Sequence, residues 1–125
     1  MDFNIIPAGE DVTQAFNVII EIPADGLPIK YEADKALNLM RVDRFLSTST
    51  RYPVNYGFVP STLSHDGDPV DVLVLSPYPI MAGALVQCRP IGLMRMTDEA
   101  GEDAKVVAVP IDRVCAATSD ITSLS

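Results

Sequence analysis

The sequence predicts an all-β domain, and a barrel in preference to a sandwich. Several short segments alternate apolar and polar residues with the period of two that is typical of strands. Ten prolines and seven glycines punctuate them, and no stretch keeps helical periodicity over three turns. At 125 residues, of which 48% are hydrophobic, the chain can fill one core but not two. One domain is therefore expected.

The chain begins with an arm and a first strand. Residues 1–15 are expected to be irregular, with one helical turn over 11–15. Residues 16–22 alternate and predict a strand. Glu21 is an acid in this otherwise apolar segment, which makes it a candidate for chemistry.

Two more strands are predicted after the turn signal at 23–26. They cover about 28–34 and 39–45, and Lys30 and Glu32 share one face of the first. The next residues, 51–58, mix aromatics with Pro and Gly and are poor helix material. No strand is assigned to them.

The second half of the chain continues the β pattern. Strands are predicted over 70–75, 85–96 and 106–109, with a bend in the middle one at Pro90 and Gly92. Residues 111–125 lose apolar content and are expected to fray or to begin a further segment.

The charge balance excludes some classes of partner. A net charge of −8 and a pI near 4.3 argue against binding to a DNA or RNA backbone. Cys88 and Cys115 are too few for a disulfide framework, which favours a reducing compartment. The N-terminus lacks the basic start and apolar run of a signal peptide, and no segment has the length of a membrane span. A cytoplasmic protein is expected, and an anionic substrate would have to arrive with cations.

The most distinctive stretch is the acidic loop over 66–72. Asp66, Asp68 and Asp71 fall within six residues, separated by Gly67 and Pro69. Two carboxylates about 5 Å apart repel by roughly 3 kcal/mol at an effective dielectric near 20, which a divalent cation would offset. Oxygen ligands favour Mg²⁺, Mn²⁺ or Ca²⁺. An ordinary solvated turn would share much of this pattern, so the loop alone leaves both interpretations open.

Other polar residues extend the pattern. A second acidic run at 98–103 is expected at a turn, and bases and tyrosines recur through the chain. Acids for metals, cations for phosphoryl oxygens and phenols as donors are the groups that phosphoryl transfer to water requires. Each of these residues alone is more often a solvated or packing side chain.

Taken together, these motifs resemble the family I soluble inorganic pyrophosphatases of bacterial type. The resemblance runs from Pro7 to about Pro110 and includes every position of the 66–72 loop. The other matching segments are Glu21-Ile22-Pro23, Lys30-Tyr31-Glu32, Asp43-Arg44-Phe45, Tyr52-Pro53-Val54-Asn55-Tyr56-Gly57 and residues 96–105. The resemblance implies a five-stranded barrel of OB type and the hydrolysis of pyrophosphate to two phosphates.

The resemblance also implies a Mg²⁺ centre, in which Mn²⁺ could substitute. Asp66, Asp71 and Asp103 would hold one metal, and Asp71 would share a second. Asp98 and Asp103 would bind a third, and Glu21 would reach a fourth through water. Asp68 would act as the general base on a metal-activated water.

The same resemblance assigns the substrate contacts. Side chains that would hold or position the two phosphoryl groups are Lys30, Arg44, Tyr56 and Tyr52. Lys105 would contact phosphate or an acid, and Glu32 would line the site.

The family's chain continues beyond the position of Ser125 and adds a Tyr-Lys pair to the phosphate site. Residues 1–125 are therefore expected to form a single pyrophosphatase barrel domain that is incomplete at its C-terminus. The alternative is a non-catalytic barrel that binds divalent cations or pyrophosphate. By family analogy a homo-oligomer, a hexamer, is expected.

Overall fold

The structure of the chain is a computed structural model. It describes residues 7–9, 14–34, 36–45, 53–60, 69–98 and 101–119, with the backbone alone at 96–98 and 101–103. The predicted helical turn at 11–15 falls largely outside these ranges. None of the helices in this part of the chain has the length and apolar composition of a membrane span.

Seven strands make up two sheets in the described part of the chain. Their bounds are β1 Phe16–Ile22, β2 Ile29–Asp34, β3 Leu39–Phe45, β4 Asn55–Val59, β5 Val70–Val74, β6 Leu85–Asp98 and β7 Gly101–Pro110. Five of them close a barrel in the order β1-β4-β5-β7-β6, while β2 and β3 form a separate two-stranded sheet. The β5–β7 pair is parallel and the other barrel pairs are antiparallel. The prediction of a five-stranded all-β barrel is confirmed.

Alternation along the strands fills the inside of the barrel. Each strand turns every second side chain toward the same centre, and nine buried residues pack there. They are Phe16, Val18, Ile20, Val59, Val72, Val74, Val86, Cys88 and Ala108. The intervening residues of the same strands point away from this core, and the candidate functional side chains are among them.

The β2–β3 hairpin covers part of the outer barrel surface. Ala33 and Met40, one from each strand of the hairpin, pack against the buried side chains of Ile19 and Phe58. Ile19 and Phe58 are register partners on β1 and β4. This contact holds the polar side of the hairpin beside the barrel wall.

The structure corrects two of the predicted boundaries. Residues 55–59 form β4, a central barrel strand that the sequence analysis missed. The strand predicted over 106–109 is longer, because β7 begins at Gly101. Gly101 is the register partner of Asp98 at the end of β6, so the acidic run lies where these two antiparallel strands connect, as predicted. The strands over 16–22 and 39–45 and the irregularity between Pro90 and Gly92 are as predicted.

The chain after β7 is tied back onto the barrel. It forms a short 3-10 helix at Ala116–Thr118, and Thr118 is buried. Arg89 Nη2 on β6 donates to the carbonyl oxygens of Thr118 at 2.7 Å and Ser119 at 3.3 Å. Residues 111–119 are thus anchored, and 120–125 lie outside the described residues.

Candidate active site

A cavity of about 800 Å³ lies between the hairpin and the barrel wall. Residues from β1 to β5 line it, and most are charged or polar. They are Glu21, Lys30, Glu32, Ala33, Asp34, Arg41, Tyr56, Phe58, Pro69 and Asp71. Five of the residues predicted for the site are therefore brought to one place: Glu21, Lys30, Glu32, Tyr56 and Asp71.

Strand alternation places the barrel-wall members of this set. Asp71 precedes Val72, which is fully buried in the barrel core, so its carboxylate points to the opposite face of β5. Tyr56 likewise alternates with the buried Asn55 and Gly57 on β4. Because Asp71 pairs with Phe58, two residues from Tyr56 on β4, the phenol and the carboxylate are diagonal neighbours on one face.

Lys105 on β7 joins these two groups. Its Nζ donates to Asp71 Oδ2 at 3.0 Å and to Tyr56 Oη at 3.1 Å, and lies 5.2 Å from the centroid of the Tyr56 ring. The parallel pairing of Val72 with Val106 brings Lys105 beside Asp71. The result is a charge-assisted triangle of amine, carboxylate and phenol.

The electrostatics of Glu21 show that acids are crowded here. Desolvation by burial raises the pKa of Glu21 to about 7, and the charges of Asp71 and Glu32 act in the same direction. Its Oε2 accepts a hydrogen bond from the backbone N–H of Ala33 at 3.2 Å, which opposes the rise and links the barrel to the hairpin. Glu21 thus carries a carboxylate that a nearby cation would stabilise.

Tyr56 stays protonated throughout the physiological range. Burial raises the pKa of its phenol to about 12, and Lys105, whose hydrogen bond lowers it, only partly offsets that rise. A protonated phenol keeps both its donor and its acceptor capacity. Tyr56 can therefore serve as a neutral hydrogen-bond donor to a phosphoryl oxygen.

Lys30 and Arg44, the two cations predicted on the hairpin, differ in their position relative to the cavity. Lys30 lines the cavity, and its Nζ lies 3.6 Å from Asp43 Oδ2. Arg44 is its register partner on β3, but its side chain is 67% exposed and its Nε is 4.0 Å from Asp43. Arg44 is not among the described residues that line the cavity.

The remaining predicted site residues are only partly described. Asp66, Asp68 and Tyr52 lie outside the described residues. The backbones of Asp98 and Asp103 are described, and the β6–β7 register pairs Asp103 with Met96, two positions from the pair of Lys105 with Met94. Asp103 thus precedes Lys105 by two residues on β7.

The described side chains do not complete a metal site by themselves. Within the ranges that the structure describes, no group of three His, Cys, Asp or Glu residues is placed to hold a metal ion. The donor chemistry is nevertheless that of a hard cation, because the acids lining the cavity offer carboxylate oxygen alone. Burial, to which the charges of Asp71 and Glu32 add, disfavours the charged form of Glu21 and raises its pKa, and a bound cation would offset this effect.

Two charged residues among those that line the cavity, Asp34 and Arg41, were not predicted as site residues. They form an ion pair with each other, in which Arg41 Nε and Nη2 lie 3.0 Å and 2.8 Å from Asp34 Oδ2. Arg41 is the register partner of Glu32. Pairing the predicted strands 28–34 and 39–45 as a hairpin would have placed Arg41 on the same face as Glu32, because cross-strand partners share a face.

Comparison with known proteins identifies the family. A family model described as inorganic pyrophosphatase matches residues 18–125. The inorganic pyrophosphatase of Ralstonia nicotianae is 56% identical over 125 residues, which is 100% of this chain and 71% of that protein. The chain belongs to the inorganic pyrophosphatase family. The Yersinia pestis pyrophosphatase is 58% identical over 110 residues, covering 88% of this chain and 63% of its own.

Solved pyrophosphatase structures share the fold. The inorganic pyrophosphatase from Coxiella burnetii superposes with a TM-score of 0.90 at 58% identity, over 95% of this chain and 70% of that one. The Thermus thermophilus pyrophosphatase gives a TM-score of 0.91 at 40% identity, over 99% and 70%. The chain thus spans about 63–71% of the length of these four relatives.

Proposed function

We propose that this chain hydrolyses inorganic pyrophosphate to two phosphates with Mg²⁺. The observation that carries the proposal is the meeting of Asp71, Tyr56 and Lys105 at the wall of a cavity that Glu21 and Lys30 also line. Acids for a hard cation thereby stand beside cationic and phenolic donors for phosphoryl oxygens, in a member of the pyrophosphatase family.

The chain's own groups divide into a metal-holding set and a phosphate-holding set. Asp66, Asp71 and Asp103 would hold one Mg²⁺, with Asp71 shared to a second, Asp98 and Asp103 holding a third, and Glu21 reaching a fourth through water. Bound Mg²⁺ supplies positive charge to the phosphoryl oxygens and makes water a better nucleophile near neutral pH. Mn²⁺ offers the same oxygen-ligand chemistry.

The phosphate-holding set orients the substrate. Lys30, Arg44 and Lys105 contribute positive charge, while Tyr56 and Tyr52 contribute neutral hydrogen bonds. Glu32 lines the cavity beside Lys30. Asp68 takes the proton from the attacking water as general base. Held this way, the phosphorus and the attacking water meet in line without the entropy loss of a free encounter.

Phosphate release from pyrophosphate, with and without Mg²⁺, tests this proposal. We expect metal-dependent turnover, and we expect Asp68→Asn to lower kcat by roughly 10²–10⁴-fold. The matched control is Asp112→Asn, the same chemical change at an exposed acid on the segment after β7, which should leave kcat unchanged. A folded chain that binds Mg²⁺ in a calorimetric titration but shows no turnover would support the non-catalytic cation- or pyrophosphate-binding barrel instead.

The proposal extends to the assembly, the domain and the location. Large apolar side chains are exposed on the described surface, among them Phe45, Tyr78 and Met81, which favours a homo-oligomer, a hexamer by family analogy. Light scattering would give six times the 13.5 kDa chain mass for a hexamer.

Residues 1–125 are proposed to act as one domain. Cys88 and Cys115 are both free thiols, in keeping with a cytoplasmic protein.

A further inference from the structure

Lys105 contacts two residues that line the cavity. Two of its partners, Asp71 and Tyr56, line the cavity, whereas Lys105 is not among the described residues that do. Its side chain is only 14% exposed, and its ammonium lies 3.0 Å from Asp71 Oδ2.

This placement has an electrostatic consequence. A lysine ammonium has three donors and no acceptor, so when it is largely withdrawn from water it depends on an anion for compensation. Asp71 is such an anion here. A divalent cation on Asp71 would stand within a few ångströms of the ammonium and would repel it strongly, because screening is weak at partly buried sites.

We propose that Lys105 competes with the metal for Asp71 until an anionic phosphoryl group offers Lys105 another partner. The inference rests on the proposed function and deepens it, since it concerns the order in which that site is filled. Lys105 is in this sense a positioning residue that acts through Asp71. Metal and phosphate binding are then coupled, each strengthening the other.

The coupling has a thermodynamic form that can be measured. If phosphate draws Lys105 away from Asp71, phosphate raises the affinity for the metal, and the metal raises the affinity for phosphate by the same factor. Couplings of this kind commonly amount to about 5–150-fold. Replacing Lys105 by a neutral side chain removes the competitor and should remove this part of the coupling.

The test is a titration with Mn²⁺, in which electron paramagnetic resonance detects the free ion, with and without inorganic phosphate. A protein-free titration corrects for Mn²⁺ bound to phosphate in solution. We expect Lys105→Met to bind Mn²⁺ about tenfold more tightly than the wild-type chain without phosphate. Phosphate should tighten Mn²⁺ binding clearly in the wild type and much less in Lys105→Met.

Two further variants separate the inference from general effects. Arg113→Gln makes the same change in net charge at an exposed site and should leave Mn²⁺ affinity within about twofold, because distant exposed charges are screened. Tyr56→Phe removes the phenol, which accepts from Lys105 and is also hydrogen-bonded to Asp71, but keeps the Lys105–Asp71 pair. It should therefore not reproduce the tightening.

The outcomes distinguish the inference from the proposed function. Equal or weaker Mn²⁺ binding by a folded Lys105→Met chain would overturn the competition and leave the metal centre standing. A wild-type chain whose Mn²⁺ affinity does not change with phosphate would also overturn the competition. This outcome does not depend on whether a variant folds. A wild-type chain that binds no Mn²⁺ at all would remove the proposed metal-dependent function itself.

Discussion

Asn55 is a fully buried polar side chain whose hydrogen-bonding groups are used. Its Oδ1 accepts from the backbone N–H groups of Ala24 and Ile80, both at 2.9 Å. Its Nδ2 donates to Ser76 Oγ at 2.9 Å and to the carbonyl of Val74 at 3.3 Å. One amide thereby fixes the turn after β1 and the loop after β5 on the strand that carries Tyr56.

Replacing this amide should be costly. We expect Asn55→Ala to lower the free energy of unfolding by roughly 2–4 kcal/mol, because it leaves the N–H groups of Ala24 and Ile80 without their acceptor. Urea denaturation of the metal-free chain measures the change. The control is Asn17→Ala, whose side chain makes one exposed bond to the carbonyl of Pro7 and should cost less than about 1 kcal/mol. Equal effects in the two variants would contradict this account.

Glu21 gives the stability of the chain a pH dependence of defined sign. Burial raises its pKa from 4.5 to about 7 in the folded chain, so between these values the folded state binds more proton than the unfolded state. Stability from this group is therefore fully present below about pH 4.5 and is lost as the pH rises through 7.

The Glu21→Gln variant isolates this contribution. Between pH 5 and pH 8 in metal-free buffer, the wild-type chain should lose about 1–3 kcal/mol of stability that the variant does not lose, the range allowing for solvent in the cavity. Urea denaturation at a series of pH values measures the free energy of unfolding of the wild-type chain and of the variant. Asp112→Asn, an exposed acid after β7, should keep the wild-type slope. A Glu21→Gln chain with that same slope would refute the assignment to Glu21.

At the scale of elements, the strands with clean alternation were predictable and β4 was not. The segment Phe16–Ile22 shows its period in the sequence because one face is apolar throughout while the other carries the polar Asn17 and Glu21. In β4 both faces are covered, since Asn55, Gly57 and Val59 point to one side and Phe58 packs under the hairpin on the other. Burial on both faces erases the alternation, and tertiary pairing with β1 and β5 then decides the conformation.

The glycine in β4 marks how closely β1 approaches. A Cβ added at Gly57 would overlap the carbonyl oxygen of Ile19 and would come within 2.9 Å of Val18 Cγ1. We expect Gly57→Ala to cost at least about 3 kcal/mol, because neither backbone nor core can move aside. Gly26→Ala is the control, since its nearest neighbour would be 3.3 Å away and its cost should be near 1 kcal/mol or less. Thermal or urea unfolding checks both, and similar midpoints would contradict the close approach.

The site itself was predictable only as a set of residue types and motifs. Lys30 and Glu32 could be placed on one face from alternation within a single strand. That Lys105 lies beside Asp71 depends on the parallel pairing of β5 with β7, a long-range contact that local patterns do not encode. The Asp34–Arg41 pair, in contrast, lies within one local hairpin, and pairing the two predicted strands would have placed Arg41 on the face that carries Glu32.

For the whole molecule, acidity is concentrated where the site lies. The chain carries a net charge of −8. Four of the described residues that line the cavity are acids, Glu21, Glu32, Asp34 and Asp71, and two are bases, Lys30 and Arg41. Like charges held together in the compact state oppose folding. A cation bound among them therefore stabilises the folded chain beyond the effect of ordinary salt.

Mg²⁺ should accordingly raise the melting temperature by a specific amount. Binding to the folded state alone adds about 2.7 kcal/mol at one hundred times the Kd, which for a domain of this size corresponds to roughly 10 °C. Differential scanning calorimetry with added MgCl₂ measures the shift, and NaCl at matched ionic strength controls for screening. Asp71→Asn, which removes the carboxylate shared by the cavity and Lys105, should lose most of the MgCl₂ increment and keep the NaCl response. An equal shift with both salts, or a full MgCl₂ increment in Asp71→Asn, would place the stabilising cation elsewhere.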